Sequence, residues 1–196
     1  MATTQEAPNL EIYTEMTPNP DSLKFVMNQL LLPNQSADYR DPESAKSSPL
    51  AQELFEYPFV AGVFINNNFV SITKNEEQEW EEVIPQVKLF LKEYVQAGKP
   101  VIDEEAPETE SGNKVNESDD ETVARIKQML ENYVKPAVEM DGGAIQFQSF
   151  ENGVLTLELQ GSCSGCPSSM VTLKQGIESM MQRMVPQVEK VEAQEG

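Results

Sequence analysis

The only soft metal ligands in the sequence are two cysteines, Cys163 and Cys166, which are separated by two residues. Thiols at this spacing can bind one metal centre together or close a small redox loop. The sequence contains no histidine, which excludes His-ligated zinc or iron and any catalysis by a Ser-His or Cys-His pair. The chemistry predicted for the chain therefore depends on these two thiols.

The residues around the cysteines favour the thiolate form. Cys166 directly precedes Pro167, which is predicted to begin a helix, and the free N–H groups of a helix N-terminus stabilise negative charge. Gly161 and Gly165 would let backbone amides approach the sulfur atoms and donate to them. A metal cluster and a thioredoxin-like redox pair both fit these features. The cysteines follow a predicted antiparallel hairpin rather than a βαβ unit, which argues against the redox pair.

The number of thiols predicts a site shared between two chains. Iron–sulfur clusters and tetrahedral zinc usually need four ligands, and this chain supplies two. The other two ligands must then come from a second copy of the chain. Such a shared site is exposed and suits the release of its cargo. A dithiol-disulfide oxidoreductase, a dimeric zinc protein with four cysteine ligands and an incidental disulfide remain as alternatives.

Length and charge limit the partners of the chain. Its 196 residues have room for two domains of about 100 residues each. The net charge of −19 excludes nucleic acid and anionic membrane surfaces as expected partners. No apolar run approaches the ~18 residues that span a bilayer. The first residues, MATTQEAPNLEIY, have neither the apolar segment of a secretory signal nor the arginines of a transit peptide, so a cytoplasmic location is expected.

An acidic segment divides the chain. Residues 101–121 contain nine acidic residues, one lysine and no aromatic residue, a composition typical of an extended, flexible linker. We therefore predict a first domain over residues 1–100, an acidic linker over 101–118 and a second domain over 119–196.

The first domain is predicted to contain a small antiparallel sheet packed with helices. Ser48 and Pro49 have the residue types of a helix N-cap and first turn. Apolar residues from Trp80 to Val95 recur at steps of three and four, which predicts an amphipathic helix that Pro85 should kink or divide. Strands are expected at residues 11–15, 23–27, 59–65 and 69–73.

The second domain is predicted to have the order α-β-β-α-β. The residues from Ser118 to Glu121 resemble a capping box that begins a helix, which Pro136 should limit. The sequence Asp141-Gly142-Gly143 is interpreted as the turn that ends this helix. The remaining elements are a hairpin of residues 145–150 and 154–159, a helix from Pro167 to about residue 184 and a strand at 187–191.

Residues 140–169, MDGGAIQFQSFENGVLTLELQGSCSGCPSS, resemble the C-terminal domain of the Nfu/NifU-type iron–sulfur scaffold proteins. The first half is similar to the Nfu N-terminal domain at residues 17–25, 48–51, 63–64 and 80–82. Ala144 is a departure, because the family often has Asp after the paired glycines. The departure puts the geometry of the turn or the contacts with partners in doubt rather than cluster binding.

The resemblance implies a non-enzymatic protein with an α/β (α+β) fold of two small domains, each with a mostly antiparallel sheet. It implies a [4Fe–4S] cluster, with [2Fe–2S] as the other cluster type, held by Cys163 and Cys166 of two chains in a homodimer. The expected partners are upstream assembly factors and the apo iron–sulfur client proteins that receive the cluster.

Overall fold

The computed structural model describes residues 9–76, 78–103, 112–163 and 167–195. Its first domain is built on a five-stranded sheet in the spatial order β1-β2-β5-β4-β3, and all neighbouring strands are antiparallel. The strands are β1 (Ile12–Met16), β2 (Ser22–Met27), β3 (Leu32–Tyr39), β4 (Val60–Asn67) and β5 (Phe69–Lys74). A 3₁₀ turn (Ser44–Ser47) precedes helix α1 (Pro49–Phe55), and helix α2 (Trp80–Gln96) follows the sheet.

The two faces of this sheet carry different residues, because successive side chains of a strand point to opposite sides. One face packs against α1 and α2 and forms the core of the domain. Its largest buried members include Phe25, Ile65, Ile72, Leu50, Leu54 and Leu91. The opposite face carries a separate buried cluster of Val26, Phe64 and Phe69, which is joined by Ala144 of the second domain. The first domain therefore has apolar residues on both sides of its sheet.

Most elements predicted for the first domain are confirmed. Ser48 caps α1, since its Oγ accepts a hydrogen bond from the amide of Ala51 at 3.1 Å. The expected division of α2 at Pro85 is wrong, because one helix continues through that residue. Pro85 is the sixth residue of α2, so the helix continues there with one backbone hydrogen bond fewer, the one that an amide at this position would donate. Strand β3 was not predicted, since its sequence LPNQSADY is polar and includes a proline.

The second domain has the predicted order α-β-β-α-β. Helix α3 (Glu121–Met129), a π-helical segment (Leu130–Val134) and helix α4 (Lys135–Met140) form one continuous helical stretch. Strands β6 (Gly143–Glu151) and β7 (Val154–Gly161) form an antiparallel hairpin, and helix α5 (Pro167–Met184) leads to strand β8 (Lys190–Glu195). Strand β8 pairs in parallel with β7, which places β7 at the centre of the sheet. The predicted fold class, two domains of helices packed on mostly antiparallel sheets, is confirmed.

Two details of the helical stretch differ from the prediction. The N-cap of α3 is Asp120, whose Oδ1 accepts from the amide of Val123 at 2.8 Å, rather than Ser118. Pro136 does not end the stretch, because the preceding residues adopt π-helical bonding and α4 begins around the proline. A π-helical segment is one way in which a helix accommodates a disrupted hydrogen-bond ladder.

The described ends of the acidic segment contact the two domains. Ser48 Oγ donates to the carbonyl of Val101 at 2.6 Å in the first domain. The buried side chain of Asn113 donates to the carbonyl of Ile145 at 2.9 Å and accepts from the amide of Phe147 at 2.8 Å in the second. Residues 104–111 lie outside the described residues, and the domain limits of 1–100, 101–118 and 119–196 stay a prediction. In the described part of the chain, no helix is both long and apolar enough to cross a bilayer.

Candidate functional site

Cys163 lies two residues after the end of β7 and is buried, with 4% of its surface exposed. It belongs to the core of the second domain, together with Leu157 and Leu159 of β7 and Ile177 of α5. Cys166, the second predicted ligand, lies outside the described residues, as does Gly165. The assignment of Cys163 and Cys166 as cluster ligands therefore stays a prediction.

Gly143 allows the sulfur atom of Cys163 to lie against the backbone of β6. A Cβ atom at position 143 would be 2.9 Å from Sγ of Cys163 and 2.5 Å from the carbonyl oxygen of Gln160. Both distances are too short for a side chain, so glycine is required here. The sequence signal for this role was the pair Gly142-Gly143, which was interpreted only as a turn.

Gly142 forms the predicted turn and also connects the end of α4 to residues Gly161 to Cys163, which we call the cysteine segment. Its φ of +81° is in the left-handed region that glycine adopts easily. The carbonyl of Gly142 accepts from the amide of Ser162 at 3.3 Å, and the hydroxyl of Ser162 donates to the carbonyl of Asp141. These bonds fix the backbone immediately before Cys163.

The amide of Gly161 donates to Oδ2 of Asp38 in the first domain at 3.2 Å. From the sequence, Gly161 was expected only to let backbone amides approach the sulfur atoms, and this carboxylate acceptor was not predicted. Burial raises the pKa of Asp38, while the Gly161 amide and the guanidinium of Arg40, whose Nε is 3.6 Å from Oδ2, act in the opposite direction. The carboxylate therefore bears a desolvation cost that these two partners offset only in part.

Two further side chains of the first domain contact the same backbone. The hydroxyl of Ser71 donates to the carbonyl of Gly142 at 2.8 Å. The ring of Phe64 packs against Gly161, where an added Cβ would be 2.8 Å from two ring carbons. Sequence reasoning missed these residues because they are about 70 to 100 positions away from the cysteine segment, and no local pattern relates the two.

The donor set suits iron–sulfur chemistry by residue type, since thiolates are the usual ligands of such clusters. Within residues 9–76, 78–103, 112–163 and 167–195, no group of three or more His, Cys, Asp and Glu side chains is placed to hold a metal ion. Cys163 is the only cysteine in those ranges, so a multi-thiolate site would require residues beyond them.

Two family models match the chain, one over each domain. The N-terminal domain of the scaffold protein Nfu/NifU matches residues 12–98, and the NifU-like domain matches residues 126–192. The matches define a two-domain protein of the scaffold class, and they coincide with the five-stranded domain and the α-β-β-α-β domain.

Individual relatives cover almost the whole chain. A human protein, named as a mitochondrial NFU1 iron–sulfur cluster scaffold homolog, is 42% identical over 92% of this chain and 70% of its own length. A protein of the same name from Drosophila ananassae is 41% identical over 95% of this chain and 65% of its own length. The chain belongs to this Nfu family of iron–sulfur cluster scaffold proteins. It spans less than two thirds of the length of the fly relative.

A solved NifU-like protein from Saccharomyces cerevisiae is also similar. It is 25% identical, covers 54% of this chain and 94% of its own, and superimposes with a TM-score of 0.47.

The expected cytoplasmic location is contradicted by the relatives, whose names place them in mitochondria. The prediction relied on the first residues, MATTQEAPNLEIY, which have neither the apolar segment of a secretory signal nor the arginines of a transit peptide. That composition describes only a short stretch of chain and does not report the compartment in which the folded domains work.

Proposed function

We propose that the chain is a non-enzymatic scaffold and carrier that binds a [4Fe–4S] cluster through Cys163 and Cys166 of two chains and delivers it to apo-proteins. The cluster is the cargo of this protein rather than a permanent cofactor. The proposal is carried by one observation: a NifU-like domain with two cysteines, in a sequence without histidine or any further cysteine.

The ligand count supports a homodimer. Four thiolates complete a [4Fe–4S] site, and each chain offers two. Cluster binding and dimerisation should therefore be the same event, with half a cluster per chain. Breaking the dimer would leave each half with two thiolates, which a client with its own cysteines can replace by ligand exchange.

Cys163 is buried, so its thiol must become accessible before it can bind a cluster. Its sulfur lies against Gly143 and within the core of the second domain, so Ser162 and Cys163 must move before the thiol can bind a cluster. The bonds from Ser162 to Gly142 and Asp141 hold the backbone before Cys163 in this buried position. Each is a single neutral hydrogen bond of modest net energy, which suits a segment that changes conformation.

The ligand assignment is tested by anaerobic reconstitution of the full chain with iron and sulfide. We expect a dimer in sedimentation with half a [4Fe–4S] cluster per chain by Mössbauer spectroscopy and metal analysis. Cys163→Ser and Cys166→Ser should each abolish stable loading, because each removes two of the four dimer ligands. Val171→Ser, at an exposed position further along α5, is the matched control and should load normally.

Several outcomes would contradict the proposal. A monomer with a full cluster would show that other ligands exist. A colourless protein with one tightly bound zinc per dimer would favour the zinc site of four cysteines, and turnover of disulfide substrates would favour the oxidoreductase.

Carrier function needs a separate measurement. Loaded protein should activate an apo-protein of the [4Fe–4S] type faster than free iron and sulfide do, with a mild chelator present to capture released iron. Complete inhibition by the chelator would exclude direct transfer.

A further inference from the structure

The second domain covers the outer face of the five-stranded sheet with the backbone that surrounds Cys163. The apolar part of the contact joins Val26, Phe64 and Phe69 to Ala144, which is 6% exposed. Ala144 directly follows Gly143, the glycine against which Sγ of Cys163 lies. Because successive residues of a strand face opposite sides, Ala144 faces the first domain while Gly143 and Sγ of Cys163 face the core of the second domain. The contact between the domains therefore lies directly beside the backbone that leads to Cys163.

Hydrogen bonds surround this apolar contact on the two strands next to the cysteine segment. Ser71 donates to the carbonyl of Gly142, and the amide of Gly161 donates to Asp38. At the preceding residue of β7, the hydroxyl of Ser36 donates to Oε1 of Gln160 at 3.0 Å, and this pair is buried. Direct bonds between buried polar groups fix the relative position of two surfaces, since each group would lose its partner if the domains shifted.

The polar contact continues at the end of α4. The side-chain amides of Asn66 and Asn67 donate to Oε1 of Glu139 at 3.2 and 3.3 Å. The first domain thus contacts the end of α4, the turn at Gly142 and the last residues of β7, which lie next to the backbone of Ser162 and Cys163.

The surface of the second domain that contacts the first consists of Glu139, Gly142, Ala144, Gln160 and Gly161. We propose that this surface has two mutually exclusive partners: the first domain of the same chain, and the corresponding surface of a second copy in the loaded dimer. The inference rests on the proposed function, because it requires a cluster held between two chains. A second chain that shares a cluster with Cys163 must approach the segment from Gly161 to Cys163. We call the arrangement in which the two domains are in contact closed. In this arrangement Phe64 and Asp38 already occupy the positions next to Gly161.

The competition has a quantitative consequence. When only a fraction of the chains is open, the apparent affinity falls in proportion to that fraction. Two chains must open to form one dimer, so the apparent affinity of dimerisation falls with the square of the open fraction. A variant that raises the open fraction tenfold should therefore strengthen dimerisation by up to about a hundredfold.

The test uses the full chain and two substitutions in the first domain, away from the thiols. Phe64→Ser removes the ring that packs on Gly161 and leaves the helix-packed core of the first domain intact, since Phe64 lies on the other face of the sheet. Ser71→Ala removes one hydroxyl and serves as a second variant that preserves the shape of the surface. Tyr13→Ser, at a 53% exposed aromatic residue of β1, is the matched control.

Two readouts separate closure from loading. In the iron-free chain, exchange of the Gly161 amide hydrogen reports the bond to Asp38, and we expect it to be at least tenfold faster in Phe64→Ser. In the reconstituted protein, sedimentation gives the concentration for half-dimerisation, which should fall by tenfold or more. Ser71→Ala should change both in the same direction but less, and Tyr13→Ser should change neither.

The results that would overturn the inference differ from those that would overturn the scaffold function. Faster Gly161 exchange in Phe64→Ser with unchanged dimerisation would remove the competition and leave the scaffold function in place. Rapid, unprotected exchange of Gly161 in the wild-type chain would exclude the closed arrangement. Failure of the wild-type chain and all variants to form a cluster-bridged dimer would overturn both proposals, whatever the exchange rates.

Discussion

Nζ of Lys127 lies 2.8 Å from Oδ2 of Asp119, and the side chains of the pair are only 6% and 12% exposed, respectively. The same ammonium group sits 5.1 Å from the centre of the Phe147 ring on β6. Asp119 also accepts from the amide of Asn116 at 2.8 Å. The pair thus joins the residues before α3, the helix itself and the sheet, and it fixes the start of the second domain.

Asp119→Asn should make the stability of the second domain less dependent on acid pH. The Asn116 amide, and then Lys127, lower the pKa of Asp119, so the folded chain releases a proton that the unfolded chain would hold at acid pH. This stabilisation is present above the ordinary carboxyl pKa and is lost as the pH falls through the lowered value. In urea unfolding, Asp119→Asn should have a lower free energy of unfolding than wild type at neutral pH. The difference between the two should become smaller at acid pH. Glu117→Gln, which removes one negative charge at an exposed neighbour, is the control.

Asp38→Asn should change the pH dependence in the opposite sense. Burial raises the pKa of Asp38, so between its ordinary and raised values the folded chain holds a proton that the unfolded chain has released. The stability of the wild-type chain therefore falls as the pH rises through this window. Urea unfolding from about pH 4 to pH 8 should show that Asp38→Asn lacks this decrease. Asp103→Asn, at an exposed position, is the control, and parallel profiles for wild type and Asp38→Asn would contradict the prediction.

Gly142→Ala and Gly98→Ala form a matched pair for the contact between the domains. Both glycines have positive φ, +81° and +65°, so alanine at either position costs about 1–2 kcal/mol of backbone strain. A Cβ at Gly98 would meet no atom within 4 Å, whereas one at Gly142 would lie 2.8 Å from Oγ of Ser71. Denaturant unfolding should show a larger loss for Gly142→Ala, by about 1 kcal/mol or more. If both variants lost the same free energy of unfolding, the contact of Gly142 with the first domain would contribute little to stability.

Ser48→Ala should destabilise the first domain by about 1–2 kcal/mol, because Ser48 is fully buried and makes two hydrogen bonds. It would remove the N-cap of α1 and leave the carbonyl of Val101 without this donor. Lys92→Ala, on the exposed face of α2, is the control and should change the free energy of unfolding by less than about 0.5 kcal/mol. Thermal unfolding of the two variants beside wild type gives both values.

Local patterns predicted most elements of the fold. The hairpin of β6 and β7 follows from Asn152 and Gly153, both of which have positive φ and suit a tight turn. Leu155, Leu157 and Leu159 alternate along β7 and are all buried. Such signals depend on neighbours in the sequence and need no knowledge of the tertiary fold.

Features that depend on distant residues were missed. Strand β3 pairs with β4 in spite of its polar sequence, and its Asp38 bonds to Gly161, 123 positions away. The burial of Cys163 was also not predicted, although a cysteine outside a disulfide behaves as a small apolar residue. The spacing of the thiols indicated their chemistry but gave no information on whether they face solvent.

The order of the elements along the chain allows the first domain to fold before the second during synthesis. All five strands of the first domain come from residues 12–74, so that sheet can be complete before any residue of the second domain is made. Strand β7 is central in its sheet, and its parallel neighbour is supplied by Lys190–Glu195, which are translated after the cysteine segment. The first domain can therefore already be folded, with its outer face available, when the ribosome produces Cys163. A newly made chain can therefore cover its own thiol segment before it meets another copy.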